Sequence, residues 1–198
     1  MTKLKENRCE WAGSDPRMIR YHDQEWGVPV HNDKELFEFL ISEGAQAGLS
    51  WSTILNRRDG YRKAFSNFNV NKVASYKESD FYRLSQDPGI IRNKLKIKSA
   101  INNAQKFIAV QNEFGSFDNY IWHFVEFKPI QNHFENLSDI PATTDLSMRI
   151  SKDLKKRGFT FVGPTICYAL MQSIGIVNDH LISCFRFNEI LNMSLDNK

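Results

Sequence analysis

Apolar residues recur at helical spacing along almost the whole chain, and that pattern leaves little room for a sheet. Leu36, Phe37, Leu40 and Ile41 share one helix face, and Ile97, Ile101, Ala104 and Ile108 share another. Strand-like alternation is scarce, so the pattern predicts an all-α protein of several short helices. The expected starts and stops agree with it. Ser14-Asp15-Pro16 offers a capping side chain ahead of a proline suited to a first turn, Asp33 opens a helix, and Ser116 starts another. Gly27, Gly44, Gly115, Gly158 and Gly175 each follow a periodic segment, as left-handed helix ends require. Residues 164–175, PTICYALMQSIG, are apolar on nearly every side and predict a central buried helix. The polar stretch 131–145 reads as a loop, which would separate two helical lobes.

A chain of 198 residues, 41% of them hydrophobic, fills one core and is too short for several independent domains. Its formal charge of +3 permits a nucleic-acid partner without requiring one. No apolar run reaches the roughly 18 to 20 residues that span a bilayer, and none follows the basic N-terminal stretch. A cytoplasmic protein with no membrane partner is therefore expected, with a monomer as the default.

Three cysteines at wide spacing do not read as a disulfide framework. His180 and Cys184 are one helical turn apart, so both side chains can reach a single ion. Cys9 and His22, near the other end of the chain, would complete a set of two thiolates and two imidazoles. Spacing alone leaves two alternatives open. One is a chance pair; the other is a Cys9–Cys184 disulfide, which a reducing compartment disfavours and which gives the histidines no role. Cys167, inside the apolar run, is expected in the core, and His31, His123 and His133 are expected on the surface or packed.

Trp11, Tyr21 and Trp26 gather around the first two of these candidate ligands, while Glu43 and Trp51 flank the small residues Gly44, Ala45, Ala47 and Gly48. Small residues let a flat ligand approach the backbone, and aromatic faces stack on it. A buried carboxylate needs a hydrogen-bond donor, and a ligand amine would serve. Ordinary core packing with a solvated Glu43 accounts for the same composition.

The stretches RCEW, YHDQEWGVP, EGAQAGLSW, PGIIRNKLKI, KKRGFTFVGPTICYALMQ and VNDH run in order from about residue 8 to 185. Together they resemble the DNA-3-methyladenine glycosylase I family of base-excision repair enzymes. The resemblance implies a helix-hairpin-helix glycosylase fold whose ends are joined by a structural zinc ion on Cys9, His22, His180 and Cys184. It implies that Glu43 is the base-recognising, catalytic carboxylate, that the extrahelical base lies between Tyr21 and Trp51, and that Trp11 and Gln46 line the pocket. The hairpin would fall within 81–104, with Pro88 and Gly89 at its turn. Gly89, Arg92 and Lys94 would meet a DNA phosphate with Lys96 and Lys98 nearby, and Lys155, Lys156 and Arg157 would form a second basic patch. The implied partners are double-stranded DNA containing alkylated bases and 3-methyladenine as product.

Residues 186–198 depart from the family pattern and are expected to be a peripheral tail. Many helix-hairpin-helix glycosylases carry a catalytic Asp beyond the hairpin, yet residues 100–112 contain no acidic side chain. That fits a substrate already activated by methylation at ring nitrogen 3, whose positive charge makes the base a good leaving group. The alternative function is a zinc-stabilised module that binds damaged DNA without excising the base.

Overall fold

The computed structural model describes residues 7–193. After a 3-10 turn at Glu10–Ala12 the helices are α1 (Pro16–Gln24), α2 (Asp33–Gln46), α3 (Trp51–Leu55), α4 (Arg58–Ala64), α5 (Val70–Ala74), α6 (Glu78–Gln86), α7 (Lys94–Phe114), α8 (Phe117–His123), α9 (Asp145–Lys156), α10 (Pro164–Ser173) and α11 (Phe185–Met193). Among the described residues the only sheet is a parallel pair of two-residue strands, β1 (Ile130–Gln131) and β2 (Val177–Asn178). The all-α expectation holds.

The helix starts follow the capping chemistry of the sequence. Asp15 accepts from Arg17 N at 2.8 Å ahead of Pro16, Asn32 caps α2 through Lys34 and Glu35, and Ser116 caps α8 through Asn119. Each such cap stabilises its helix by about 1 kcal/mol. Gly27, Gly115, Gly158 and Gly175 take positive φ, as expected of helix ends. Gly44 does not: it lies inside α2, where a Cβ would sit 3.4 Å from that of Phe161, so its missing side chain serves close packing. The C-terminal carbonyls of α2 are met instead by Lys96, whose Nζ donates to Ala45 O at 2.8 Å and Ala47 O at 2.6 Å. A lysine expected to surround a DNA-facing hairpin is thus turned inward.

Helix α7 is the longest element, and α5, α6, α8 and α2 all pack on it. Phe107 from α7 stacks on Phe117 with ring centroids 4.1 Å apart, anchoring α8. Helix α10 lies against α2 and α9 and buries Cys167, Tyr168, Leu170 and Met171, in keeping with its apolar sequence. The turn at 87–93 between α6 and α7 is braced by α4. Gly60 and Gly89 approach so closely that no Cβ fits at Gly60, and the Tyr61 hydroxyl accepts from Ile91 N at 3.3 Å.

One sequence expectation changes here. Residues 186–193 are not peripheral: Phe187 and Ile190 of α11 are buried, and Asn178 of β2 donates to Phe187 O at 3.2 Å. The apolar pair three residues apart places both side chains on one inward face. Residues 194–198 lie outside the described residues. His31, expected on the surface or packed, is both: its side chain is half exposed, meets Asp118 at 2.8 Å and stacks on Trp122.

Candidate active site and metal centre

Four buried side chains from the two ends of the chain converge. Cys9 precedes the first turn, His22 sits on α1, and His180 and Cys184 follow β2. Their ligand atoms all lie within 4.8 Å of one another, a group that could hold a metal ion. Cys9 Sγ is 3.7 Å from His180 Nδ1, and Cys184 Sγ is 3.7 Å from the same nitrogen and 3.5 Å from His22 Nε2. The far nitrogen of each imidazole is fixed as well: His22 Nδ1 meets Asp23 Oδ1 at 2.8 Å, and His180 Nε2 donates to Trp26 O at 3.0 Å. Such outer partners select the tautomer that turns the other nitrogen towards an ion. Arg8 holds Asp23 in turn with bonds of 2.7 to 3.0 Å. Burial works against the Asp23 charge, but Arg8 and His22 keep its carboxyl below the usual value. The two thiols share a proton: Cys9 is pushed up and donates to Cys184, and that hydrogen bond with the two imidazoles holds Cys184 well below an ordinary cysteine. Sequence reasoning did not single out Asp23 or Arg8; the acidic residue directly after a candidate ligand histidine was the available signal.

Beside this cluster, α1, α2, α3 and α10 enclose a cavity of about 230 Å³ lined by Trp11, Tyr21, Trp26, Glu43, Gln46, Trp51 and Gln172, with Leu137 and Ile140 reaching in from the 131–145 segment. All five residues expected at a base pocket, Glu43, Tyr21, Trp51, Trp11 and Gln46, are therefore brought together. Their arrangement differs from a sandwich. Tyr21 and Trp51 are in direct contact, with centroids 5.1 Å apart and planes tilted by 46°. A base held between two rings needs two stacking separations of about 3.5 Å each, roughly 7 Å in all. In this structure the two rings form adjoining parts of the cavity wall, and a base lying between them requires the rings to part. Trp51 Nε1 is buried without a hydrogen-bond partner, an unmet donor that costs about 1–3 kcal/mol.

Glu43 is only 4% exposed, three residues from the end of α2. Burial raises its carboxyl from 4.5 to about 8, with the Ser173 hydroxyl pulling partly the other way. It therefore carries its proton near neutral pH, and a solvated helix end is excluded.

The basic residues divide. Arg92 and Lys94 are exposed at the start of α7, and Lys155 and Lys156 are exposed at the end of α9. Arg157 is engaged: it bonds Asp153 at 2.6 Å and Glu113 at 2.7 Å, and lies over the rings of Phe114 and Tyr120. Glu113, the first acidic residue beyond 100–112, is thereby held in an ion pair that lowers its carboxyl below the ordinary value. The Gly89 N–H donates to Asp87 Oδ1 at 2.7 Å and is likewise occupied within the protein.

Comparison with known proteins gives consistent results. Residues 11–187 match the model of a family described as methyladenine glycosylase. The chain is 48% identical to the DNA-3-methyladenine glycosylase 1 of Escherichia coli K12 over 177 residues, covering 89% of this chain and 95% of that protein. It is 44% identical to the DNA-3-methyladenine glycosylase of Haemophilus influenzae, at 89% and 96% coverage. Among solved structures, a crystal structure of 3-methyladenine DNA glycosylase I superposes with a TM-score of 0.88 at 46% identity, covering 90% of this chain and 98% of the other.

Proposed function

This chain belongs to the methyladenine glycosylase family, and from that premise we propose that it flips 3-methyladenine out of alkylated double-stranded DNA and hydrolyses its glycosidic bond. The observation that carries the reading is the aromatic cavity with a single buried carboxyl, Glu43, in its wall. A methylated purine is flat and cationic. Flat faces are met by Tyr21, Trp51 and Trp11, with stacking on an aromatic ring worth about 1–3 kcal/mol per base. The positive charge is met by Glu43. In the free protein this group is neutral, so no bare charge is buried. When the cation arrives, its field favours the carboxylate, and the two charges attract strongly in a water-poor site.

Methylation has already weakened the bond to be broken, so the protein has less barrier to remove. Its residues bind, orient and isolate the base while water attacks the anomeric carbon of the cation-like sugar. With Glu113 committed to Arg157, no carboxylate from the 100–113 stretch is offered as a catalytic base. The α6–α7 turn, read as the helix-hairpin-helix, would present Arg92 and Lys94 to phosphate, with Lys155 and Lys156 as a second contact. Gly89 is assigned to shaping that turn. From the DNA-repair role we infer a cytoplasmic location.

For the metal centre we propose zinc. Zinc–sulfur bonds of about 2.3 Å and zinc–nitrogen bonds of about 2.0 Å, set tetrahedrally, separate sulfur from nitrogen by about 3.5 Å. The three sulfur–nitrogen distances of 3.5 to 3.7 Å fit that figure. A closed set of four protein ligands leaves no position for substrate, so the ion's part is structural: it ties the chain ends together beneath the pocket.

The test is incubation with methylated duplex DNA. Release of 3-methyladenine at substoichiometric protein supports the proposal; tight binding without release would make the chain a damage-binding module instead.

A further inference from the structure

Two amides line the cavity, Gln46 and Gln172, and they differ in how they are held. The Gln46 side chain makes no hydrogen bond within the described protein. Gln172 is fixed at both ends. Its main-chain carbonyl accepts from Gly27 N at 3.0 Å, and its side-chain Nε2 donates to Asp179 Oδ2 at 2.8 Å. Asp179 is itself immobilised, with 1% of its surface exposed, by the Tyr168 hydroxyl at 2.6 Å and by Asn132 Nδ2 at 2.7 Å. All three neighbours donate, so Asp179 acts purely as an acceptor. That settles which way the Gln172 amide faces: turned over, its oxygen would meet the Asp179 carboxylate. The oxygen left over, Oε1, has no hydrogen-bond partner in the protein, and Gln172 is half-buried on the cavity wall.

We propose that Gln172 is a specificity-determining residue, its Oε1 accepting one hydrogen of the exocyclic amine of the flipped adenine while Glu43 accepts the other. This rests on the glycosylase reading above. With Glu43 ionised by the bound cation both groups are acceptors, which suits an amine and opposes the carbonyl oxygen that cationic 3-methylguanine carries at the same position. Asp179 is the positioning residue: it touches no substrate but denies the amide its alternative orientation, so the selecting oxygen is set before the base arrives.

The test compares wild type with Gln172→Met, which keeps the volume and removes the acceptor. Three quantities are read: kcat/KM for release of 3-methyladenine from methylated DNA, affinity for a duplex with an abasic site, which has no base to contact, and the melting temperature. The expected result is a loss of about tenfold in 3-methyladenine release, the size of one hydrogen bond to a charged or polar group. Abasic-site affinity stays unchanged, the melting temperature falls because buried Asp179 loses the Gln172 donor, and 3-methylguanine release is spared relative to 3-methyladenine. Unchanged 3-methyladenine release, or a loss matched by equal losses in 3-methylguanine release and abasic-site affinity, overturns the proposal. If Gln172→Met does not fold, Gln172→Asn retains an amide but withdraws its oxygen and is read the same way. A wild-type protein that releases no 3-methyladenine would sink the glycosylase reading itself, before any variant is compared.

Discussion

Trp26 and His180 join the metal centre to the base pocket: the Trp26 carbonyl accepts from His180 Nε2 at 3.0 Å, its indole packs edge-on at 4.6 Å from the same imidazole, and the indole also lines the cavity. Removing the ion should therefore reach the pocket as well as the fold. Chelation is expected to lower the melting temperature and the affinity for 3-methyladenine together, because ion binding and folding are linked. Base affinity that survives in metal-free protein would uncouple the two sites.

Asp23 orients His22 without being a ligand. Asp23→Asn leaves all four ligands in place but weakens the acceptor that fixes the ring, and changes of this kind typically cost 10- to 100-fold in metal affinity. Competition with a chromogenic chelator measures it. Retention equal to wild type would show that Arg8 and Asp23 serve packing only.

Glu43 gives a pH dependence of definite sign. The unfolded chain releases this proton near 4.5 and the folded protein keeps it to about 8. Its contribution to stability is thus fully present below about pH 4.5 and lost as pH rises through 8, a change on the order of a few kcal/mol. Denaturant titration of wild type against Glu43→Gln should show this difference shrinking across that window. Affinity for a permanently cationic N-methylpurine should run the opposite way, rising up to about pH 8 and levelling off, with a weaker and flat response in Glu43→Gln. A wild-type response as flat as that of the variant would remove the assigned role.

Trp51 touches Tyr21 and has an unmet buried donor, so the ring adds little to the resting fold beyond its packing. Trp51→Ala is expected to weaken 3-methyladenine binding by about tenfold or more, the range for loss of one stacking face. Tryptophan-quenching titration with free base checks this, and an unaltered Kd would place the base elsewhere.

The basic end of α9 should split by function. Lys155→Ala and Lys156→Ala are each expected to lower the salt dependence of DNA binding, by about 0.9 in the log–log slope for each phosphate no longer neutralised, without changing stability. Arg157→Ala should instead lower the melting temperature, because it frees Glu113 and Asp153 and uncovers Phe114 and Tyr120. A salt slope reduced by Arg157→Ala alone would reverse this assignment.

Local chemistry was legible before any tertiary structure. Helix starts at Pro16, Asp33 and Phe117 follow from side-chain oxygens ahead of them, and the buried α10 follows from an apolar run with no polar face. His180 and Cys184 could be named because a one-turn spacing lets both reach one ion, and Cys9 and His22 were added as the remaining residue types, a set that the family resemblance implies. What periodicity could not reveal was which polar groups are already taken. Arg92 and Arg157 look alike in sequence, yet only Arg157 meets two carboxylates, from positions 4 and 44 residues away. Lys96 likewise reads as a surface cation until α2 ends against it.

The sequence by itself therefore determined the helices and the His180–Cys184 pair, because these depend on side-chain type and on spacing within a few turns. The full ligand set and the pocket residues came from the resemblance of motifs along the whole chain. The tertiary structure alone decided the contact of Tyr21 with Trp51, the isolation of Glu43 from water, and the direction in which Asp179 turns Gln172. Those three depend on distances between segments far apart in the chain, and desolvation and hydrogen-bond direction exist only once the segments have packed.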